Sequence, residues 1–150
     1  MGTVYRSSVI DAPITAVWDY IRDFAGLHKW FPGVSDTRLE GAIPGDRPGC
    51  IRNFGLPDGS RMREEMLDFS DHGHFCAYRM LEGAVPMTRY QARVHLIPIT
   101  DGNRTFAEMT ADFDSPAGIE GQVSEFLGNT YQGGFEAIKK HFSKAYSAPK

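Results

Sequence analysis

The spacing of apolar residues changes along the chain, and each change marks an element. Thr3 to Ile10 is rich in β-branched and aromatic residues and reads as a strand. Asp11-Ala12-Pro13 follows, and proline suits the first position of a helix. Ile14, Val17, Trp18 and Ile21 then recur at helical spacing. A second short helix is predicted over Leu27 to Phe31, ended by Pro32-Gly33. From residue 34 to 114 the pattern becomes strands divided by turn signals. These are Gly41 to Gly49, Leu56-Pro57-Asp58-Gly59, Asp71-His72-Gly73, Gly83 to Pro86 and Asp101-Gly102. Six antiparallel strands in succession fit between them. After Pro116-Ala117-Gly118 a long helix runs from about Glu120 to Tyr146. Val123, Phe126, Leu127, Thr130, Gly134, Ile138 and Phe142 make its apolar stripe. Strand, two helices, six strands and a long helix make an α+β protein, with the last helix on one face of a sheet. Residues 1–146 read as one domain and 147–150 as a short tail.

Turn positions set strand register, and register decides which side chains share a face. A hairpin centred on Asp58 puts Arg52 opposite Glu64 and Phe54 opposite Met62. A turn centred on His72 puts Met66 opposite Tyr78 and Glu64 opposite Met80. A turn at Asp101-Gly102 puts Val94 opposite Met109 and Ala92 opposite Ala111. The inward face then collects Cys50, Arg52, Phe54, Met62, Glu64, Met66, Cys76, Tyr78, Met80, Tyr90, Ala92, Val94, Leu96, Ala107, Met109, Ala111 and Phe113. Arg61, Arg63, Glu65, Arg79, Gln91, Arg93, His95, Thr110 and Asp112 face solvent.

The inward face is rich in Met, Ala, Cys and aromatics and poor in Ile and Leu. That composition suits either an adaptable pocket wall or the filling of an irregular core. Arg52 and Glu64 are its two charged members and are direct cross-strand partners. Burying either alone would cost several kcal/mol, so they pair. Three readings stay open for them: a structural ion pair, a polar handle that orients a ligand in an apolar cavity, and a catalytic carboxylate. Tyr78 and Tyr90 add phenol groups to the same face.

Composition narrows the classes. The chain has 150 residues, 41% hydrophobic and 12% aromatic, which is too apolar for intrinsic disorder. Its net charge of −3 and lack of a basic run argue against nucleic acid as a partner. No apolar stretch approaches the ~20 residues a membrane span needs, so no stable membrane insertion is expected. The start has no apolar signal segment, and the two cysteines, Cys50 and Cys76, form no Cys-x-x-Cys pair. Reduced thiols and a cytoplasmic location follow as expectations. Asn103-Arg104-Thr105 is a glycosylation sequon by chance.

Phosphate-binding glycine loops and the Gly-x-Ser-x-Gly elbow are missing from the sequence. His72 and His74 flank Gly73 in a turn and lack further ligands nearby, so no metal is expected, and no cofactor either. Cofactor-free acid/base chemistry on a carbonyl compound fits what remains. Glu82, at a strand end, is a second carboxylate near the expected mouth.

Ala12-Pro13 before Val17-Trp18 and Asp23-Phe24, then Trp30-Phe31-Pro32, Gly49-x-x-Arg52, Asp58-Gly59 and Arg63-Glu64-x-Met66 make an ordered series. Tyr78-Arg79-Met80-Leu81-Glu82-Gly83, Pro86 with Tyr90, Glu108-Met109, Phe113-Asp114 and Tyr131-Gln132-Gly133-Gly134-Phe135 with Ile138 continue it. In this series the chain resembles the polyketide cyclase/dehydrase branch of the START-related helix-grip superfamily (SRPBCC), from about residue 3 to 142. The resemblance implies a helix-grip fold: a seven-stranded antiparallel sheet wrapped around the long C-terminal helix, with two short helices after the first strand. It also implies an apolar cavity between sheet and helix. Two positions depart from the pattern. Many relatives carry Trp-His-Pro where this chain has Trp30-Phe31-Pro32, and many carry Trp at the position of Met109.

The expectation is therefore a protein that binds a small hydrophobic or aromatic, polyketide-like molecule in an internal cavity. The alternative is a cofactor-free cyclase, dehydratase or isomerase in the same cavity. Glu64, Arg52 and Tyr78 are the candidate catalytic residues. Trp30, Phe54, Met62, Met66, Met80, Tyr90, Val94, Met109, Phe113, Phe126 and Thr130 are the candidate ligand contacts. An edge strand with an open side leaves a homodimer as an option.

Overall fold

The computed structural model describes residues 1–83 and 86–146, the last three of these as backbone only. Part of the predicted turn from Gly83 to Pro86, and the tail 147–150, lie outside the described residues. Strand β1 (Gly2–Ile10) leads through Pro13 into helix α1 (Ile14–Ile21). A short 3-10 segment, Phe24–Lys29, precedes strands β2 (Thr37–Glu40), β3 (Ile51–Gly55), β4 (Arg61–Ser70), β5 (Phe75–Glu82), β6 (Arg89–Ile99) and β7 (Arg104–Asp114). Helix α2 (Glu120–Tyr146) closes the order.

All seven strands join one antiparallel sheet in the order β1-β7-β6-β5-β4-β3-β2. The β3–β4 turn sets its central register. Leu56 N–H donates to Ser60 O at 2.9 Å, and Asp58 Oδ1 accepts from the Ser60 N–H at 2.9 Å. Gly59 takes φ +85°, a conformation that costs other residues strain. Arg52 then stands opposite Glu64, and Phe54 opposite Met62, as the spacing predicts.

The predicted register for β4 and β5 holds only in the middle. Glu64 faces Met80 and Met66 faces Tyr78, but Arg63 faces Glu82 and Phe69 faces Cys76. Register shifts between Arg63 and Glu64 and between Met66 and Asp68 account for this. Such irregularities bend a strand, and here they flank the stretch that carries Glu64.

Two other elements differ from expectation. The second short helix starts at Phe24, because the Asp23 side chain accepts from the Ala25 N–H at 3.2 Å and caps it there. Gly26 leaves helical dihedrals, so the segment stays a 3-10 turn that ends at Lys29. The buried stripe of α2 is also rotated. It runs Val123, Leu127, Tyr131, Phe135, Ile138 and Phe142, while Phe126 is 52% exposed and Thr130 sits half-buried at the stripe's edge.

Helix α2 lies along β1 and β7. The other end of the sheet, β2 and β3, approaches the 3-10 segment instead. Two apolar clusters result. A large one joins α1, β1, β4 to β7 and α2. A small one gathers Leu27, Phe54 and Met62, with Trp30, Phe31, Val34, Leu56 and Met80 against it. Helix α1 is tied to the β4–β5 turn by Asp71, which accepts from Trp18 Nε1 at 2.7 Å and from Arg22 Nε at 2.7 Å. His74 lies edge-on to Trp18 in this turn.

Candidate functional site

A cavity of about 400 Å³ takes its lining from both clusters. Leu27 and Phe31 to Val34 close one side. β3 and its turn contribute Arg52, Phe54, Leu56, Pro57 and Asp58, and β4 contributes Met62 and Glu64. Tyr78 of β5, Met87, Tyr90 of β6, and Phe126, Leu127, Thr130 and Tyr131 of α2 complete the wall. The period of two explains the sheet's share: Arg52 and Phe54, and Met62 and Glu64, point the same way on their strands. The volume lies within the ~300–1,000 Å³ typical of small-molecule sites.

Arg52 and Glu64 are 7% and 3% exposed. Arg52 Nε and Nη2 both donate to Glu64 Oε1, at 2.9 and 2.7 Å. The guanidinium carbon lies 4.0 Å from the centre of the Phe24 ring and 4.7 Å from that of Tyr78. Cation–π contact on these rings adds to the ion pair and fixes the plane of the side chain. Glu64 Oε2 and Arg52 Nη1 have no hydrogen-bond partner among the described residues, although both side chains line the cavity. The pair therefore leaves the Glu64 Oε2 acceptor and the remaining N–H groups of Arg52 uncommitted.

Burial pushes the Glu64 carboxyl above the ordinary carboxylate range, against the pull of Arg52. Burial works against the charge on Arg52, but Glu64 outweighs it and holds the guanidinium protonated. Burial likewise raises Tyr78, Tyr90 and Tyr131, so all three phenols keep their protons at neutral pH. The hydroxyls of Tyr90 and Tyr131 are hydrogen-bonded to each other. The Thr130 hydroxyl donates to Phe126 O at 2.8 Å and is thus occupied within the helix.

Eight of the residues singled out in the sequence meet at this cavity: Arg52, Glu64, Tyr78, Phe54, Met62, Tyr90, Phe126 and Thr130. Six do not line it. Trp30, Val94 and Met109 border a separate inner void of about 50 Å³, behind Arg52, Tyr78 and Phe24. The indole N–H of Trp30 is buried there without a partner among the described residues. Met66 and Phe113 are solid core, at 1% and 0% exposure, with the Met66 sulfur 3.9 Å from that of Cys50. Met80 packs between the two clusters. These three point inward as their register requires, but at depths where neighbours already fill the space. Glu82 is exposed at the strand end and is not part of the wall.

Sequence reasoning missed Tyr131, Phe31, Leu127, Leu56 and Met87 as lining residues. A signal existed for Tyr131, which continues the four-residue spacing of Val123 and Leu127. Phe31, at the position of the relatives' histidine, faces the cavity with an apolar ring.

Burial pushes the Cys76 thiol up to about 12, and it raises Cys50 too. Neither has the low pKa of a nucleophile. Among the described residues no group of three or more His, Cys, Asp or Glu side chains is placed to hold a metal ion. No helix among them is long and apolar enough to cross a membrane.

The family model described as polyketide cyclase/dehydrase and lipid transport matches residues 1–143. Among solved structures, protein XoxI of Bacillus cereus superposes with a TM-score of 0.88 at 21% identity, covering 97% of this chain and 99% of that one. The Zhui aromatase/cyclase of Streptomyces sp. R1128 gives 0.78 at 16% identity, with 98% and 96% coverage. A START superfamily protein of Mycobacterium smegmatis gives 0.78 at 12% identity, with 95% and 98% coverage. At such identities these three likenesses concern the fold alone. No curated protein matches the chain. Sheet, helix and sequence model agree, and the chain belongs to the polyketide cyclase/dehydrase and lipid transport family.

Proposed function

We propose that the protein binds a small hydrophobic or aromatic, polyketide-like molecule between the sheet and α2, with the molecule's polar group at Arg52 and Glu64. One observation carries this reading. A buried ion pair with an unused acceptor and an unused donor opens onto a cavity walled mainly by Leu, Met, Pro and aromatic side chains. A pair that served only to close the core would have its remaining polar atoms satisfied inside the protein. The family description, which includes lipid transport, agrees with this reading.

Thermal melts with a panel of lipids and aromatic compounds test it. A ligand at a hundred times its Kd stabilises the fold by about 2.7 kcal/mol. Thr130→Trp, which fills the cavity from α2, is expected to remove that shift. A panel that leaves the melting temperature unmoved, or an equal shift in the variant, overturns the proposal.

The second reading, a cofactor-free cyclase, dehydratase or isomerase, draws on the same carboxyl. Glu64 combines a raised pKa with an oxygen unbonded among the described residues, on a side chain that is itself buried. Such a group suits proton transfer next to a carbonyl, with Tyr78 and Arg52 polarising the carbonyl oxygen. Glu64→Gln is then expected to end turnover while the cavity still takes up an apolar probe.

A further inference from the structure

The geometry points to an uncharged, hydroxyl-bearing ring compound as the occupant of the cavity, and to exclusion of the corresponding carboxylates. This inference rests on the reading of the cavity as a ligand site.

Charge comes first. The charged residues in the wall are Arg52, Glu64 and Asp58. The two N–H groups of Arg52 on one oxygen of Glu64 are the geometry of an ion pair, which is neutral as a unit. Asp58, held by Ser60 at the turn, leaves the wall with one negative charge in excess. Among the described residues no lysine and no second arginine lines the space. A carboxylate that entered would lose its hydration without gaining an uncommitted cation. It would also lie beside Glu64 Oε2, and like charges at that range repel strongly.

Hydrogen-bonding type comes second. Glu64 Oε2 accepts only, and Arg52 Nη1 donates only. Glu64 Oε2, the acceptor left over from the pair, calls for a ligand group that donates. A hydroxyl does this. A ketone or ether would leave Glu64 Oε2 unpaired, and an unpaired buried acceptor costs binding free energy. Phe31, Phe54 and Phe126 supply flat apolar walls for a ring.

Isothermal titration of the full chain at pH 7 with 2-naphthol, 2-methoxynaphthalene and 2-naphthoate tests this. 2-Naphthol is expected to bind tightest, with each of the other two at least ~10-fold weaker, as loss of a hydrogen bond to a charged group implies. Glu64→Gln leaves Arg52 as an unpaired cation, and the order of 2-naphthoate and 2-naphthol is expected to reverse. The comparison of the three probes on the unaltered protein needs no variant, so it stands even if Glu64→Gln fails to fold. The inference is overturned if 2-naphthoate or 2-methoxynaphthalene binds as well as 2-naphthol, or if the order survives in a folded Glu64→Gln. If none of the three binds while other panel molecules do, the hydroxyl assignment falls and the cavity reading stands. If the whole panel fails, both fall.

Discussion

Replacing Arg52 with methionine is expected to destabilise the protein by an amount that grows with pH. Glu64 is 3% exposed, and Arg52 is its only hydrogen-bonding partner among the described residues. With the guanidinium gone, a charged Glu64 would stand alone in an apolar wall, and it takes up a proton instead. An ordinary glutamate has a value of 4.5. Holding it protonated at pH 7 costs about 3.4 kcal/mol, at 1.36 kcal/mol per unit. The folded pKa in the variant lies above the unfolded one, so the carboxyl's share of stability is complete below 4.5. It is lost as pH rises toward the folded value. A further loss of about 1–2 kcal/mol, independent of pH, comes from the contacts of Arg52 with Phe24 and Tyr78. Urea denaturation of both proteins at pH 5, 6 and 7 measures the difference. The native carboxyl is itself raised, so the gap widens only above its own folded pKa, and from there by about 1.4 kcal/mol per unit up to the folded pKa of Glu64 in the variant. A gap that stays constant above the native folded pKa of Glu64 would show that Glu64 escapes to solvent or finds another partner in the variant, and the account of the pair would be wrong.

Three further outcomes are expected. Hydrogen bonds from Arg63 and then Asn53 hold the Glu40 carboxyl down at about 2, so its share of stability is present above 4.5 and lost as pH falls from there toward 2. Glu40→Gln should flatten that acid limb in thermal melts, and an unchanged limb would assign it to other carboxylates. The thiol of Cys76, pushed up to about 12, should resist a disulfide reagent at pH 8 in the native protein and react after unfolding in urea; fast native labelling would mean that the core opens readily. A Cβ at position 134 would lie 2.8 Å from the Phe31 ring. Gly134→Ala should therefore move the ring and weaken binding of apolar probes. Stability should change little, because a helix-propensity gain of about 1 kcal/mol offsets crowding of about 1–3 kcal/mol. Unchanged affinity would show that Phe31 does not shape the cavity.

The features legible in the sequence were those set by local rules. Asp58-Gly59 defines a turn, the turn defines register, and a period of two then puts Arg52, Glu64 and Tyr78 on one face. Alternation says only that a side chain points inward. Met62 and Met66 lie on the same face of β4, yet Met62 borders the cavity while Met66 packs on Cys50. That difference depends on how far α2 stands from each part of the sheet, which no strand pattern encodes. The irregularities in β4 have the same character. They answer the curvature of the whole sheet, and residues 63 to 68 contain no glycine that would announce them. The rotated stripe of α2 was recoverable, because Tyr131 and Phe135 continue the spacing of Val123 and Leu127 once tyrosine is counted as apolar.

Helix α2 lies along β1 and β7, while the β2–β3 end of the sheet leans on the 3-10 segment. Mechanically the sheet is a cantilever, clamped at one end and overhanging a hollow at the other. The overhang keeps its ladder hydrogen bonds but lacks the full side-chain packing that the clamped end enjoys. Whatever fills the hollow props it. Amide exchange at β3 and β4 would then slow on occupancy, while β1 and β7 keep their protection.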